Sequence, residues 1–226
     1  MYAKCFKRIV DFTASLIGLA VLSPILLILI ILGAIKMKGN PFFTQLRPGK
    51  DEKIFRLIKF RTMTCEKDAE GNLLPDEKRL TRYGKILRSS SLDELPELIN
   101  ILNGDMSLVG PRPQLVRDMV FMTTEQRVRH SIRPGLTGLA QVSGRNNITW
   151  EQKIEYDLTY IHSGITLWGD IKILFMTVGK VFRREDTVRA GTVSDMDFGD
   201  YLLQKGEVTE EVYHQRQKEA KELLGV

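Results

Sequence analysis

Phe12-Thr13-Ala14-Ser15-Leu16-Ile17-Gly18-Leu19-Ala20-Val21-Leu22-Ser23-Pro24-Ile25-Leu26-Leu27-Ile28-Leu29-Ile30-Ile31-Leu32-Gly33-Ala34-Ile35 is a run of 24 residues without a charge, and Ser23-Pro24 sits at its middle. As a helix it would rise ~36 Å against a hydrocarbon core of roughly 30 Å, so it is long enough to cross a bilayer. Pro24 works against a straight crossing, because it offers no N–H to the carbonyl of Ala20 and its ring crowds that carbonyl. Ser23 can lend its hydroxyl to a nearby backbone group and so lower the cost of a bend at this depth. Each half is then about 11 or 12 residues, ~18 Å, too short to span alone. Lys4, Lys7 and Arg8 precede the run, and Lys36 and Lys38 follow it. The positive-inside rule puts both ends in the cytoplasm, which a re-entrant hairpin satisfies and a straight span does not. A proline-kinked span is the alternative. A secretory signal fits poorly, since the run exceeds the usual apolar core and no small-x-small site follows before Lys36.

With 226 residues, of which the first 40 or so belong to this anchor, the remainder is sized for one domain. Hydrophobic residues at 43% are ample for a packed core. Cys5 and Cys65 lie far apart and lack metal-ligand spacing, which fits a reducing cytoplasmic setting. The net charge of +5 is unevenly placed: residues 183–226 hold 7 basic and 10 acidic side chains, so residues 1–182 carry +8. A basic body beside a membrane anchor points to anionic lipid, a phosphate-bearing substrate, or both. No helix-turn-helix, zinc or aromatic-basic interleaving supports nucleic acid as a partner.

The pattern predicts an α+β chain in three parts: a membrane anchor at 1–40, a main domain at 41–184 that the chemistry below makes the catalytic one, and a tail with a helical segment at 185–226. Pro41 to Met63 reads as a β-hairpin around Pro48-Gly49-Lys50-Asp51. Residues 64–80 form a polar loop excursion. Helices are expected over Leu80–Arg88, from near Asp93 to Asn103 before Gly104, and across Gln114–His130. Gly135 to Asn147 reads as a loop with a short extended piece. Thr149-Trp150-Glu151-Gln152 is a capping box that opens a helix to about His162. A last apolar helix spans Leu167–Arg184; Trp168 at one end, with Lys172 and Arg183 on one stripe, would suit either the membrane interface plane or a buried core position.

Ser91-Leu92-Asp93-Glu94-Leu95-Pro96 is the centre of the expected chemistry. Pro96 is tolerated only in a first turn, which places Asp93 and Glu94 at the positive end of a helix dipole. The same letters also read as an ordinary capping box. Adjacent carboxylates point about 100° apart on a helix, so they cannot face each other across a sugar as a glycosidase pair must. They could serve as nucleophile and neighbouring metal or acid–base group. Lys59 on a strand, Arg88 just before the acidic turn, Arg112 held between Pro111 and Pro113, and Arg145 in Ser143-Gly144-Arg145-Asn146-Asn147 supply cations in stiff or unusual backbone settings. Arginine forks match phosphate oxygens in bidentate geometry. Together these residues look like a diphosphate site with a divalent cation.

Lys59-Phe60-Arg61-Thr62-Met63, Ser91 to Pro96, Gly104-Asp105-Met106-Ser107-Leu108-Val109-Gly110-Pro111-Arg112-Pro113 and Arg133-Pro134-Gly135-Leu136-Thr137-Gly138 resemble the motifs of the bacterial sugar transferases, the monotopic polyprenyl-phosphate phosphoglycosyl transferases. The resemblance covers roughly residues 1–184 and is to the minimal, catalytic-domain form, with no further membrane domain upstream. Ser23-Pro24 matches that family's break in a re-entrant helix.

The resemblance implies transfer of sugar-1-phosphate from a UDP-sugar, an N-acetylated or diacetylated amino sugar being favoured although hexoses occur, to undecaprenyl phosphate with release of UMP, as the first membrane step of glycoconjugate and polysaccharide assembly. It implies that Asp93 is a nucleophile that forms an aspartyl phosphosugar, and that Glu94 helps hold Mg²⁺, with Asp93 and Glu94 as its protein ligands. Lys59, Arg88, Arg112 and Arg145 would bind phosphate, and Asp157 would support a basic side chain. The implied location is the cytoplasmic face of the bacterial inner membrane, among membrane lipid, with a homo-oligomer left open. The tail at 185–226 suits either a short oligomerisation hairpin or an acidic segment folded onto the basic body. Two rivals remain at this level: a catalytically silent lipid-binding adaptor, and an anchored nucleotidyltransferase or phosphatase.

Overall fold

The structure is a computed structural model that describes residues 2–144, 148–183 and 196–225. The apolar run lies in one helix, α1 (Lys7–Lys36), preceded by a π-helical turn at Tyr2–Phe6. The expected break is not a turn: the helix continues through Pro24. Ser23 Oγ donates to the carbonyl of Ala20 at 2.7 Å, which explains how the helix tolerates the missing amide.

β1 (Phe42–Pro48) and β2 (Ile54–Phe60) form the predicted antiparallel hairpin, in register from Phe42 opposite Phe60 to Pro48 opposite Ile54. Its tip falls slightly later than the sequence suggested, at Asp51 and Glu52, both with positive φ. The polar excursion is mostly irregular, with only α2 (Asp76–Arg79) inside it. Then come α3 (Arg82–Ser89), α4 (Glu97–Asn103), which ends at Gly104, and β3 (Ser107–Val109). The single helix expected over 114–130 is a correction: the chain forms α5 (Val116–Met119), then α6 (Thr124–Arg127) and a 3₁₀ turn at Val128–Ser131. Thr123 and Gln126 make a reciprocal capping box, so a new helix starts where the apolar pattern alone suggested continuation. β4 (Gly135–Thr137) pairs parallel with β3, and α7 (Leu139–Ser143) follows it. α8 (Trp150–His162) opens on the predicted Thr149–Gln152 box. α9 (Leu167–Arg183), α10 (Phe198–Lys205) and α11 (Glu210–Leu224) complete the described chain.

Both halves of α1 pack on the same body. Leu19 and Leu22 join a cluster built on Phe55, Leu57, Leu98, Ile101 and Met106. Leu26, Leu29 and Ile30 join a second one with Phe60 and Leu87. The first turns of α1 add a buried polar stripe at four-residue spacing, Lys7, Asp11 and Ser15. Lys7 Nζ lies 2.5 Å from Asp170 of α9, Asp170 also accepts from the hydroxyl of Tyr160, and Asp11 accepts from the N–H of Leu108. Arg8 donates to the carbonyls of Ile101 and Leu102 at the end of α4, where a cation complements the helix dipole. The opposite face of α1, from Ile9 to Ile35, leaves its large apolar side chains exposed.

The tail folds back onto the body. Phe198 and Leu202 pack with Met122, Trp150 and Ile154, and Ala220 packs with Val116, Met119 and Val120. Asp118 accepts from the N–H of Phe198 and from that of Leu115, tying the tail to α5.

Candidate functional site

The acidic turn is fastened by its own apolar residues. Leu92 and Leu95, three apart, pack into the Leu29–Phe60–Leu87 cluster under the second half of α1. Asp93 and Glu94 occupy a 3₁₀ turn at Leu92–Glu94, after Ser91 in a left-handed conformation with φ of 56°. Here the structure corrects the sequence reading: α4 begins at Glu97, Pro96 is its N-cap residue, and Ser91 makes no side-chain cap for the turn. The carboxylates therefore sit just ahead of the helix.

Lys59 of β2, with Phe60 turned into the core on the other face, reaches this turn. Its Nζ lies 3.0 Å from Glu94 and 2.9 Å from Glu97. Arg112 reaches the same Glu94 oxygen at 2.7 Å from the other side. Arg88, near the end of α3, donates from Nε to the hydroxyl of Thr62, and its charge acts on Asp93. That approach depends on Gly84, because a Cβ there would lie 1.9 Å from the carbonyl oxygen of Thr62. Lys59, Arg88, Arg112, Asp93 and Glu94 are thus brought together as predicted. Arg145 lies outside the described residues.

The two carboxylates differ in environment. Burial would raise Glu94, but Arg112 and Lys59 outweigh it and hold this group well below the usual carboxylate range. Asp93 is raised, first by burial and then by Glu94 beside it. Among the described residues its carboxylate has no ion-pair partner. Burial would lower Lys59, but Glu94 and Glu97 reverse the direction, and Glu94 raises Arg112. Glu97 is pushed up to about 7, chiefly by burial.

Arg112 stands on a backbone held at every step. The Pro111 carbonyl accepts from Gly135, the Arg112 carbonyl from Arg129 at 2.7 Å, and the Pro113 carbonyl from Arg47 at 3.2 Å. Arg129 is fixed in turn by a buried ion pair with Asp157 of α8, at 3.0 Å from Nε and 2.7 Å from a terminal nitrogen. Asp157 therefore braces the cation that supports Arg112, and its carboxyl is raised by burial against the pull of Arg129. Sequence reasoning missed Glu97, Arg47 and Arg129. Glu97 reads as a routine first-turn acid, and nothing local to Arg129 marks its partner 28 residues on.

Among the described residues no group of three or more metal-ligating side chains gathers. Asp93 and Glu94 fit a different demand. Mg²⁺ is commonly held by one or two carboxylates, with substrate phosphate and water supplying the other oxygens.

The sequence profile described as bacterial sugar transferase matches residues 2–184. The chain is 49% identical over 179 residues to the uncharacterized sugar transferase EpsL of Bacillus subtilis (strain 168), a match covering 79% of this chain and 88% of that one. It is 41% identical over 187 residues to the UDP-glucose:undecaprenyl-phosphate glucose-1-phosphate transferase of Klebsiella pneumoniae, covering 78% of this chain but only 40% of the relative. A transferase of the same name from Caulobacter vibrioides (strain ATCC 19089 / CIP 103742 / CB 15) is 39% identical over 182 residues, covering 76% and 68% respectively.

Proposed function

The chain belongs to the bacterial sugar transferase family, and on that premise we propose that it moves sugar-1-phosphate from a UDP-sugar to undecaprenyl phosphate. The observation that carries this reading is the contrast within the acidic turn. Glu94 is clamped by two cations, whereas Asp93 is partly buried, basic for a carboxylate, and has no ion pair among the described residues. A carboxylate so placed can act as a nucleophile.

An Asp93 oxygen attacks the phosphorus that bears the sugar. The bond to the bridging oxygen breaks, UMP leaves with that oxygen, and an aspartyl phosphosugar remains. A phosphate oxygen of undecaprenyl phosphate then attacks the same phosphorus, the bond to Asp93 breaks, and the lipid diphosphosugar departs with the carboxylate restored. Lys59, Arg88 and Arg112 neutralise the phosphate oxygens that Asp93 must approach, and Arg145 is assigned to the same task. Bound Mg²⁺, held by Asp93 and Glu94, would offset charge as one anion meets another. Glu94 exchanges its contacts with Lys59 and Arg112 for the incoming ligand.

The family resemblance favours an N-acetylated amino sugar, while the Klebsiella and Caulobacter relatives are named for glucose. Both classes belong in the test. Purified protein, Mg²⁺ and a panel of UDP-sugars are incubated with and without undecaprenyl phosphate while UMP is followed. The reading expects turnover with lipid, a burst of UMP without it, and a sugar-phosphate adduct on Asp93 by mass spectrometry. UMP release that strictly needs lipid, with no adduct, would take the nucleophile's role from Asp93 and leave it as a metal ligand or base.

A re-entrant, monotopic placement on the cytoplasmic face of the inner membrane accompanies this function. It is supported by α1 packing both halves on one body while its other face stays apolar and exposed. Trp168 and Phe175, 78% and 74% exposed on α9, would lie in the same interface, where the headgroup of the lipid acceptor resides.

A further inference from the structure

Two residues one turn apart on α4 act on the same strand. Asn100 accepts from the N–H of Ile58 at 3.0 Å and donates to the carbonyl of Arg56 at 2.8 Å, so it fixes the backbone of β2 on either side of Leu57. Glu97, three residues earlier and on the same helix face, meets the side chain that follows, Lys59, at 2.9 Å. Asn100 and Glu97 are each only 1% exposed, and Pro96 stiffens the backbone just before Glu97. Lys59 thus has two carboxylate neighbours of different kinds. Glu94 is 17% exposed on a 3₁₀ turn and shares an oxygen with Arg112. Glu97 is walled in and has nowhere to go.

We infer that Glu97 is a positioning residue, the permanent anchor of Lys59, which keeps that ammonium aimed at the phosphate site when Glu94 lets go. The inference rests on the transferase reading and deepens it. A lone pair between Lys59 and Glu94 would be exclusive: the phosphate could take Lys59 only by leaving it briefly without any fixed partner. With Glu97 holding one side, Glu94 is free to exchange and Lys59 does not swing. The carboxylate touches neither substrate nor metal and acts through Lys59.

The test is a double-mutant cycle in the full chain with UDP-sugar turnover as readout. Glu97→Ala should lower kcat/KM by about 10- to 100-fold, as removing one partner of a buried ion pair can, mainly through a raised donor KM. Glu97→Gln, which keeps an oxygen facing the Lys59 ammonium in the same buried volume, should lose much less. Once Lys59→Met has removed the ammonium, Glu97→Ala should cost little more, because the two residues act as one unit. Losses that simply multiply, or a Glu97→Ala enzyme with unchanged kcat/KM and only a lower Tm, would overturn the inference. Amine acylation of Lys59, followed by peptide mass spectrometry, gives a readout that needs no turnover. Glu97→Ala should speed labelling several-fold and Glu97→Gln should not, and equal labelling in all three proteins overturns the anchor role. A wild-type protein inert toward every UDP-sugar would sink the transferase reading while the labelling result still decides Glu97.

Discussion

The hydroxyl of Ser23 donates to the carbonyl of Ala20, the very carbonyl that Pro24 leaves without an amide. A proline is thereby carried inside an apolar helix without an orphaned acceptor, as a membrane demands. Ser23→Ala should cost about 1–3 kcal/mol, the desolvation penalty of the unmet carbonyl, and should lower Tm in detergent.

The same pair bears on topology. Cys5 and Cys65 are both free and exposed. With Cys65 changed to Ser, Cys5 reports one end of α1, and a cysteine replacing Lys38 reports the other. Impermeant maleimide should reach both from the cytoplasmic side alone. Labelling from opposite sides would establish a conventional span, and Pro24→Ala should move the protein in that direction.

Arg112→Lys keeps the charge but loses the planar fork that meets Glu94 and that is proposed to take phosphate. Activity should fall at least ~10-fold with the fold intact by circular dichroism. An enzyme as active as the parent would remove the bidentate role from this residue.

Asp157→Asn leaves Arg129 buried without its counter-charge, and breaking such a pair costs about 3–5 kcal/mol. Thermal unfolding should register that loss. Because Arg129 also holds the Arg112 carbonyl, donor KM should rise as well; stability lost with KM unchanged would make the pair purely architectural.

His130 gives a pH signature. Its imidazole is pushed down to about 3, by burial first and then by Arg129 and Arg127, against 6.5 in the unfolded chain; Glu52 is the acid facing it, at 3.4 Å. Its contribution is complete above pH 6.5 and is lost progressively as pH falls toward 3. Glu97 has the opposite sign: raised to about 7 from 4.5, it takes up its proton in the folded state first, so its contribution grows as pH falls from 7 to 4.5. His130→Gln removes only the falling part. Relative to the parent it should gain up to about 1.4 kcal/mol per pH unit between 6.5 and 5, by urea unfolding. A difference that does not change with pH would mean His130 is not held neutral.

The tail beyond the family match can be tested through Gly199, where a Cβ would lie 2.5 Å from the Phe121 ring. Gly199→Val should destabilise the whole protein by about 1–3 kcal/mol, as overpacking does. Loss of the tail contacts alone, with an unchanged global Tm, would show that α10 and α11 fold separately from the body.

The features legible in the sequence were those written in neighbouring letters. The apolar run, the hairpin, the Thr149 box and the grouping of Lys59, Arg88, Asp93, Glu94 and Arg112 all emerged from local pattern or motif. The failures have two causes, a local capping signal overlooked and tertiary contacts that no local pattern carries. Residues 114–130 carry apolar spacing that suits one helix, yet the Thr123–Gln126 box restarts the chain. Asp93 fell outside α4 because Leu92 and Leu95 are drawn to α1, a tertiary pull that no propensity encodes. Arg129 with Asp157, and Lys7 with Asp170, are pairs whose members look like surface charges until the fold removes them from water.

The distance between Lys7 and Asp170 along the chain, 163 residues, has a consequence for synthesis. α1 leaves the ribosome well before α9, already apolar enough to enter a bilayer, while the α9 partner of its buried Lys7 does not yet exist. If it enters the membrane then, Lys7 lacks its α9 partner, and α1 is free to choose either orientation. Only when α9 emerges can the choice be locked, so α9 decides how α1 sits. A nascent chain arrested before Asp170 should show mixed orientations of α1, and one arrested after α9 has cleared the ribosome should show a single one.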